Sequence, residues 1–203
     1  MNAGRVIFLI CILRFYPGAG SVARAQAWTQ TAAPSNIWSA IAVSADGSKW
    51  VATAGGQFYN GQIYFSTNPA LPWSPTPAPA TNWTGVASSA DGSNLVAVAY
   101  GSAGGAIANS GIICASTNGS GIWSTTNFSR TWLSVASSAD GQKVAAVPNS
   151  SRVFLSTNAG ATWFSNAAPV ADLQRIVSSA DGTRLAAGNN VGSIVISSNS
   201  GTT

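Results

Sequence analysis

The 203 residues contain no histidine and no glutamate, and their only carboxylates are Asp46, Asp91, Asp140, Asp172 and Asp181. Without histidine, neither a Ser-His-Asp type of triad nor a histidine metal site can be assembled. Hydrolysis of a glycosidic bond by two flanking carboxyl groups has only these five aspartates to draw on. Charged residues make up 7% of the chain. Cysteine is confined to Cys11 and Cys114. Long apolar runs are also lacking: the run at residues 6–13 holds eight residues and ends at Arg14. A helix spanning a hydrocarbon core of about 30 Å needs roughly 20, so no integral membrane segment is expected in the mature chain.

That short run sits behind Arg5 and ahead of SVARAQAW, where small residues are spaced as at an Ala-x-Ala cleavage site. The pattern predicts a secretory signal peptide over residues 1–27, cut after Ala25 or Ala27. It leaves a mature domain of residues 28–203 in a periplasmic or extracellular setting. Arg5, Arg14 and Arg24 leave with the signal, so nine basic residues become six against five acidic ones, and the formal +4 becomes +1. The basic character of the full chain is then no argument for a nucleic-acid partner. Cys11 leaves as well, so Cys114 has no intramolecular partner.

What the chain has in quantity is apolar residues, at 46%, with 21 glycines and 9 prolines. Such a composition suits many short strands joined by turns. The strands repeat. IAVSADGSKWVA, VASSADGSNLVA, VASSADGQKVAA and IVSSADGTRLAA begin at Ile41, Val86, Val135 and Ile176. Their aspartates, Asp46, Asp91, Asp140 and Asp181, are 45, 49 and 41 residues apart, a period suited to a four-stranded blade. Each phrase alternates apolar and small polar residues on either side of Asp-Gly, the signature of a hairpin in which both residues tolerate positive φ. A residue repeated once per unit at a turn is a turn former, so no catalytic or metal role is assigned to these aspartates, and no cofactor is expected.

A second phrase follows each hairpin: STNPALPW from Ser66, STNGSGIW from Ser116, STNAGATW from Ser156 and SSNSGTT from Ser197. STNAGATW resembles the Asp-box, or BNR repeat, Ser-x-Asp-x-Gly-x-Thr-Trp, of sialidase-like and photosystem II assembly factor-like propellers. All four copies carry Asn in place of Asp, at Asn68, Asn118, Asn158 and Asn199, and only the last two keep the glycine, Gly160 and Gly201. Asn can still hydrogen-bond the turn's own backbone, while the tryptophan packs against the neighbouring sheet. The resemblance implies a structural box between the third and fourth strands of each blade, in an all-β propeller of four-stranded antiparallel blades. It implies fold, not activity.

Sialidases resemble one another in an arginine triad, a Tyr nucleophile paired with Glu, and an acidic Asp. Arg130, Arg152 and Arg175 are the nominal cations, but with no Glu in the chain the carry-over fails at its most diagnostic residue. The box tryptophans Trp73, Trp123 and Trp163 stand seven residues after their leading serines, which puts the fourth at position 204. At the other end, WTQT from Trp28 reads as an isolated fourth strand. Two arrangements fit these four repeats. One is an incomplete ring, completed by further sequence or by self-association with a second chain. The other is a ring of four blades closed by that strand.

Turns after the first and third strands of a blade share one face, and loops after the second and fourth share the other. The irregular loops, at 55–62, 74–82, 100–111 and 124–131, belong to the second face, where binding on a regular scaffold usually resides. They and the last linker present Phe58, Tyr59, Tyr100, Phe128, Arg130 and Asp172. This aromatic, weakly charged set suits sugar stacking or a protein partner. The function expected is a secreted, non-enzymatic binding or scaffold propeller, and the alternative is the propeller portion of an exported, sialidase-like glycoside hydrolase. The sequons at Asn82, Asn118, Asn127 and Asn149 read as chance matches in a chain rich in Ser, Thr and Asn.

Overall fold

The computed structural model describes residues 28–101, 111–149, 152–167 and 172–202. The expected signal peptide, 1–27, lies outside the described residues. The chain divides into the units Met1–Gln30 and Thr31–Thr203, and the sheets belong to the second.

Among the described residues fifteen strands form four sheets, each a meander of sequential antiparallel neighbours. The first blade holds β1 (Trp38–Val43), β2 (Trp50–Ala54), β3 (Ile63–Ser66) and β4 (Ser74–Pro75). The second holds β5 (Trp83–Ser88), β6 (Leu95–Ala99), β7 (Gly111–Ser116) and β8 (Ser124–Arg130). The third holds β9 (Trp132–Ser137), β10 (Val144–Pro148), β11 (Arg152–Ser156) and β12 (Phe164–Ala167). The fourth holds three strands, β13 (Leu173–Ser178), β14 (Leu185–Asn189) and β15 (Ile194–Ser197). The repeated phrases supply the first and second strands of every sheet, with Val86 opposite Ala97 and Ile176 opposite Ala187.

The Asp-Gly turns form as expected but by a different division of labour. Gly47, Gly92, Gly141 and Gly182 have φ between +66° and +72°, whereas none of the four aspartates has positive φ. The Gly47 amide donates to the Ser44 carbonyl, closing a four-residue turn with glycine last. Asp46 acts as an acceptor: the Ser44 hydroxyl and the Ser48 amide both donate to its Oδ1. The same pair of donors meets Asp91, Asp140 and Asp181.

An asparagine closes the turn into the fourth strand in the second and third blades, whereas in the first blade Asn68 Oδ1 accepts from the nearer Ala70 amide. In the third blade the Thr162 amide donates to Asn158 Oδ1, the Gly160 amide to Ser156 Oγ, and the Trp163 indole to the Gly160 carbonyl. In the second blade the Ile122 amide donates to Asn118 Oδ1 in the same way. The asparagine amide oxygen is the acceptor that holds each of these two turns.

The core is divided among the blade junctions. β1 packs beside β5, β5 beside β9, and β9 beside β13. Trp83, Val86 and Leu95 meet Val51 and Ile63 at the first junction. Trp132, Val135 and Val144 meet Ala87, Val96 and Ile113 at the second. Leu173, Ile176 and Leu185 meet Ala136, Ala145 and Leu155 at the third. No strand is present over Trp28–Gln30, and the last sheet has three strands. Of the two arrangements the repeats allowed, the described residues show no strand at WTQT. Cys114 is buried at the first junction, and burial pushes its thiol pKa up, which makes it inert packing. Among the described residues there is no helix long and apolar enough to cross a membrane.

Candidate functional site

Each aspartate of the hairpins is held by hydroxyl and amide donors, and this sets its chemistry. The Ser44 hydroxyl, then the Ser48 amide and hydroxyl, draw the Asp46 pKa down to about 2. Asp91, Asp140 and Asp181 lie below the ordinary carboxylate value for the same reason, with the Ser89, Ser138 and Ser179 hydroxyls as the largest causes. A general acid at neutral pH needs the opposite shift. Among the described residues no group of three His, Cys, Asp or Glu side chains is placed to hold a metal ion.

The opposite face carries the irregular loops. Gly61 pairs with Thr81, so the loop after β2 is tied to the linker between the first two blades. Asn82, fully buried in that linker, donates from its amide to the Gln57 carbonyl, and its backbone carbonyl accepts from the Tyr100 amide. The Gln57 side chain in turn donates to the Tyr100 hydroxyl at 2.8 Å. Phe58 and Tyr59, which follow Gln57, are exposed. Asn82 and Gln57 thus tie the loop that carries Phe58 and Tyr59 to Tyr100.

Phe128 and Arg130 are placed differently from the expected loop. Both lie on β8, which runs seven residues and pairs along β7 as far as Gly111 opposite Arg130. The half-buried Phe128 ring packs edge-on to Trp132 and Phe154 at 5.6 and 5.7 Å. The Arg130 guanidinium lies over the Phe154 ring at 5.0 Å. These two residues cover the core of the second junction. Asp172 is exposed on the linker before β13, with φ of 58°. The hydrogen bonds and ring contacts of the described residues join neither Asp172 nor the Phe128–Arg130 pair to the first group.

The three arginines that a sialidase-like triad would require stand on β8, β11 and β13, each with its own local contact. Arg152 donates to Ser165 Oγ and Arg175 to the Gln174 carbonyl, while Arg130 caps Phe154.

Three solved structures share this arrangement of sheets. A GH74 enzyme from Niastella koreensis matches 78% of this chain at 21% identity with a TM-score of 0.52, over 22% of its own length. A GH74 xyloglucanase from Xanthomonas campestris matches 85% at 14% identity with a TM-score of 0.57, over 30% of its length. Hydrazine synthase from Kuenenia stuttgartiensis matches 79% at 12% identity with a TM-score of 0.59, over 58% of its length. The four sheets are propeller blades. No family model matches the chain, and no curated protein matches its sequence. The chain spans less than a third of either GH74 protein.

Sequence reasoning missed Gln57 and Asn82, the two polar side chains that organise the aromatic group. Asn82 precedes Trp83 at the start of the second blade, where a polar residue reads as ordinary linker. Phe154 was missed because apolar alternation assigns it to the core without showing that a cation lies over it.

Proposed function

We propose that this chain is an exported, non-enzymatic β-propeller that binds a protein or polysaccharide through the loop face carrying Phe58, Tyr59 and Tyr100. Residues 1–27 direct export, and the boxes at Ser66, Ser116, Ser156 and Ser197 are Asn variants of the BNR repeat. The observation that carries this reading is the engagement of all four repeat carboxylates in their own hairpins. Each is held ionised by its serine and amide donors, so none is available as an acid at neutral pH. Exposed rings on a tethered loop serve binding, since aromatic side chains offer large contact area at small entropic cost. The test is affinity electrophoresis of the mature protein through gels containing xyloglucan, mixed-linkage glucan or xylan, with a pull-down against secreted proteins as the second arm. Phe58→Ala with Tyr59→Ala should weaken the binding found at least tenfold, about 1.4 kcal/mol, with no fall in melting temperature. Unchanged binding in the double variant would overturn the assignment of this face.

A second reading, in which these blades form the propeller portion of a glycoside hydrolase, is favoured by the similarity to the two GH74 proteins. Reducing-sugar release from xyloglucan by this chain would establish it and displace the first.

A further inference from the structure

We propose that Arg130 and Arg152 form a site for the acidic groups of a polysaccharide, at the mouth of the second junction on the loop face. The inference rests on the reading of this chain as an exported binding propeller, and adds to it a ligand class and a second position on the same face. It starts from how charge is shared between the two faces. Residues 28–203 carry six cations and five carboxylates. Lys49, Lys143 and Arg184 stand just before second strands, on the hairpin face with Asp46, Asp91, Asp140 and Asp181, so three cations meet four carboxylates for a sum of −1. Arg130 ends β8, Arg152 begins β11 and Arg175 is the third residue of β13, all towards the loop face, where Asp172 precedes β13. Three cations there meet one carboxylate, for a sum of +2. The stretches 102–110, 150–151 and 168–171 add no charge.

The hairpin-face charges are engaged within the fold. Each aspartate accepts from its own serine, and Lys49 and Lys143 donate to the carbonyls of Asp91 and Asp181. Arg130 and Arg152 are placed otherwise. The half-buried Arg130 lays its guanidinium over the Phe154 ring at 5.0 Å. Arg152 is exposed and donates to Ser165 Oγ at 3.4 Å, a long bond to a neutral acceptor. Among the described residues neither guanidinium is paired with a carboxylate. Both converge on Phe154. Arg152 precedes it by two residues on β11, so their side chains leave the same side of the strand. Ser165 stands directly opposite Phe154 on β12. One ring, held in place by Phe128 and Trp132, therefore lies under Arg130 and beside the hydroxyl that Arg152 reaches. Like charges brought together in this way repel until an anion enters between them.

A guanidinium fork takes a carboxylate or a sulfate through two parallel charge-assisted bonds. On a polysaccharide these groups are the carboxylate of a uronic acid and the ester of a sulfated sugar. A protein partner would anchor an apolar side chain in a pocket, but the Phe154 ring is 6% exposed and already covered by Arg130. Recognition at this site is therefore ionic, and the exposed rings of Phe58 and Tyr59 on the same face suit the apolar side of a sugar.

The test is titration calorimetry of the purified chain with polygalacturonate, its methyl ester, dextran sulfate, dextran and polyglutamate. The wild type should bind polygalacturonate or dextran sulfate and neither neutral polymer, and the acidic polymer it prefers tells carboxylate from sulfate. Arg152→Gln should weaken that binding about tenfold or more with no fall in melting temperature, because its side chain is exposed. Arg130→Lys, which keeps the charge and loses the fork, should weaken it as well. Arg175→Gln removes the same charge from the same face and should change binding less than about twofold at about 0.15 M salt. No binding of either acidic polysaccharide, equal losses for Arg152→Gln and Arg175→Gln, or equally tight binding of polyglutamate would each overturn the inference. Phe58→Ala with Tyr59→Ala, measured alongside, separates the two readings of the face. Binding lost in Arg152→Gln and kept in the double variant upholds this site and overturns the aromatic one, and the reverse pattern does the opposite.

Discussion

Asp46 shows at the scale of one residue how the repeat uses its scarce charge. Its carboxylate is fully exposed, yet three donors hold it ionised and place its pKa at about 2, against 3.8 unperturbed. Because the folded pKa is the lower one, the folded state binds fewer protons than the unfolded state between these values. The stability this provides is complete above about pH 4 and is lost as pH falls towards 2. Thermal melts between pH 5 and 2 should show this decline, and Asp46→Asn should make it shallower, since Asp91, Asp140 and Asp181 still contribute. The tryptophans divide by burial. Trp132 is fully buried against Phe128 and Phe154, so Trp132→Ala should cost about 3–5 kcal/mol in urea unfolding. Trp163 is half-buried and its indole bonds to Gly160, so Trp163→Ala should cost less, about 2 kcal/mol.

At the scale of the element, the unit of stability is the hairpin together with the side chain that the preceding blade lays across it. Gly141 has φ of 72°, and a Cβ there would come within 2.4 Å of the Asn94 Cβ. Gly47 has the same φ of 72° and open space around it. Gly47→Ala should therefore cost only the left-handed backbone term, about 1–2 kcal/mol. Gly141→Ala should cost measurably more, because the second junction must also shift. Equal costs by urea unfolding would show that the junction side chains do not matter there. The hairpins and the order of strands were legible in the sequence because each rests on a local pattern that recurs four times. β8 was not: STTNFSRT has the polar composition of a loop, and it becomes a strand because β7 offers a partner edge and Phe128 can reach Trp132 and Phe154. Phe58, Tyr59 and Tyr100 stand out in the sequence as loop aromatics, and the structure leaves the first two exposed and the third half-buried. The Gln57–Asn82 tether that gathers them depends on a contact between blades, which no local window contains.

At the scale of the whole molecule, the repeat explains the fold and where four of the five carboxylates are engaged. One carboxylate per blade is fixed by the hairpin that needs it, and Asp172, the fifth, stands alone on an exposed linker. The proposed binding face is the one whose loop is tethered by Asn82 and carries the exposed rings of Phe58 and Tyr59. The central claim is that the repeat aspartates are structural anions and not catalytic acids. Carbon-detected NMR titration of the aspartate carboxyl groups tests it directly. The account predicts that Asp46, Asp91, Asp140 and Asp181 all titrate below the ordinary carboxylate value of 3.8. Any of the four titrating at or above about pH 5, as a catalytic acid would, contradicts it.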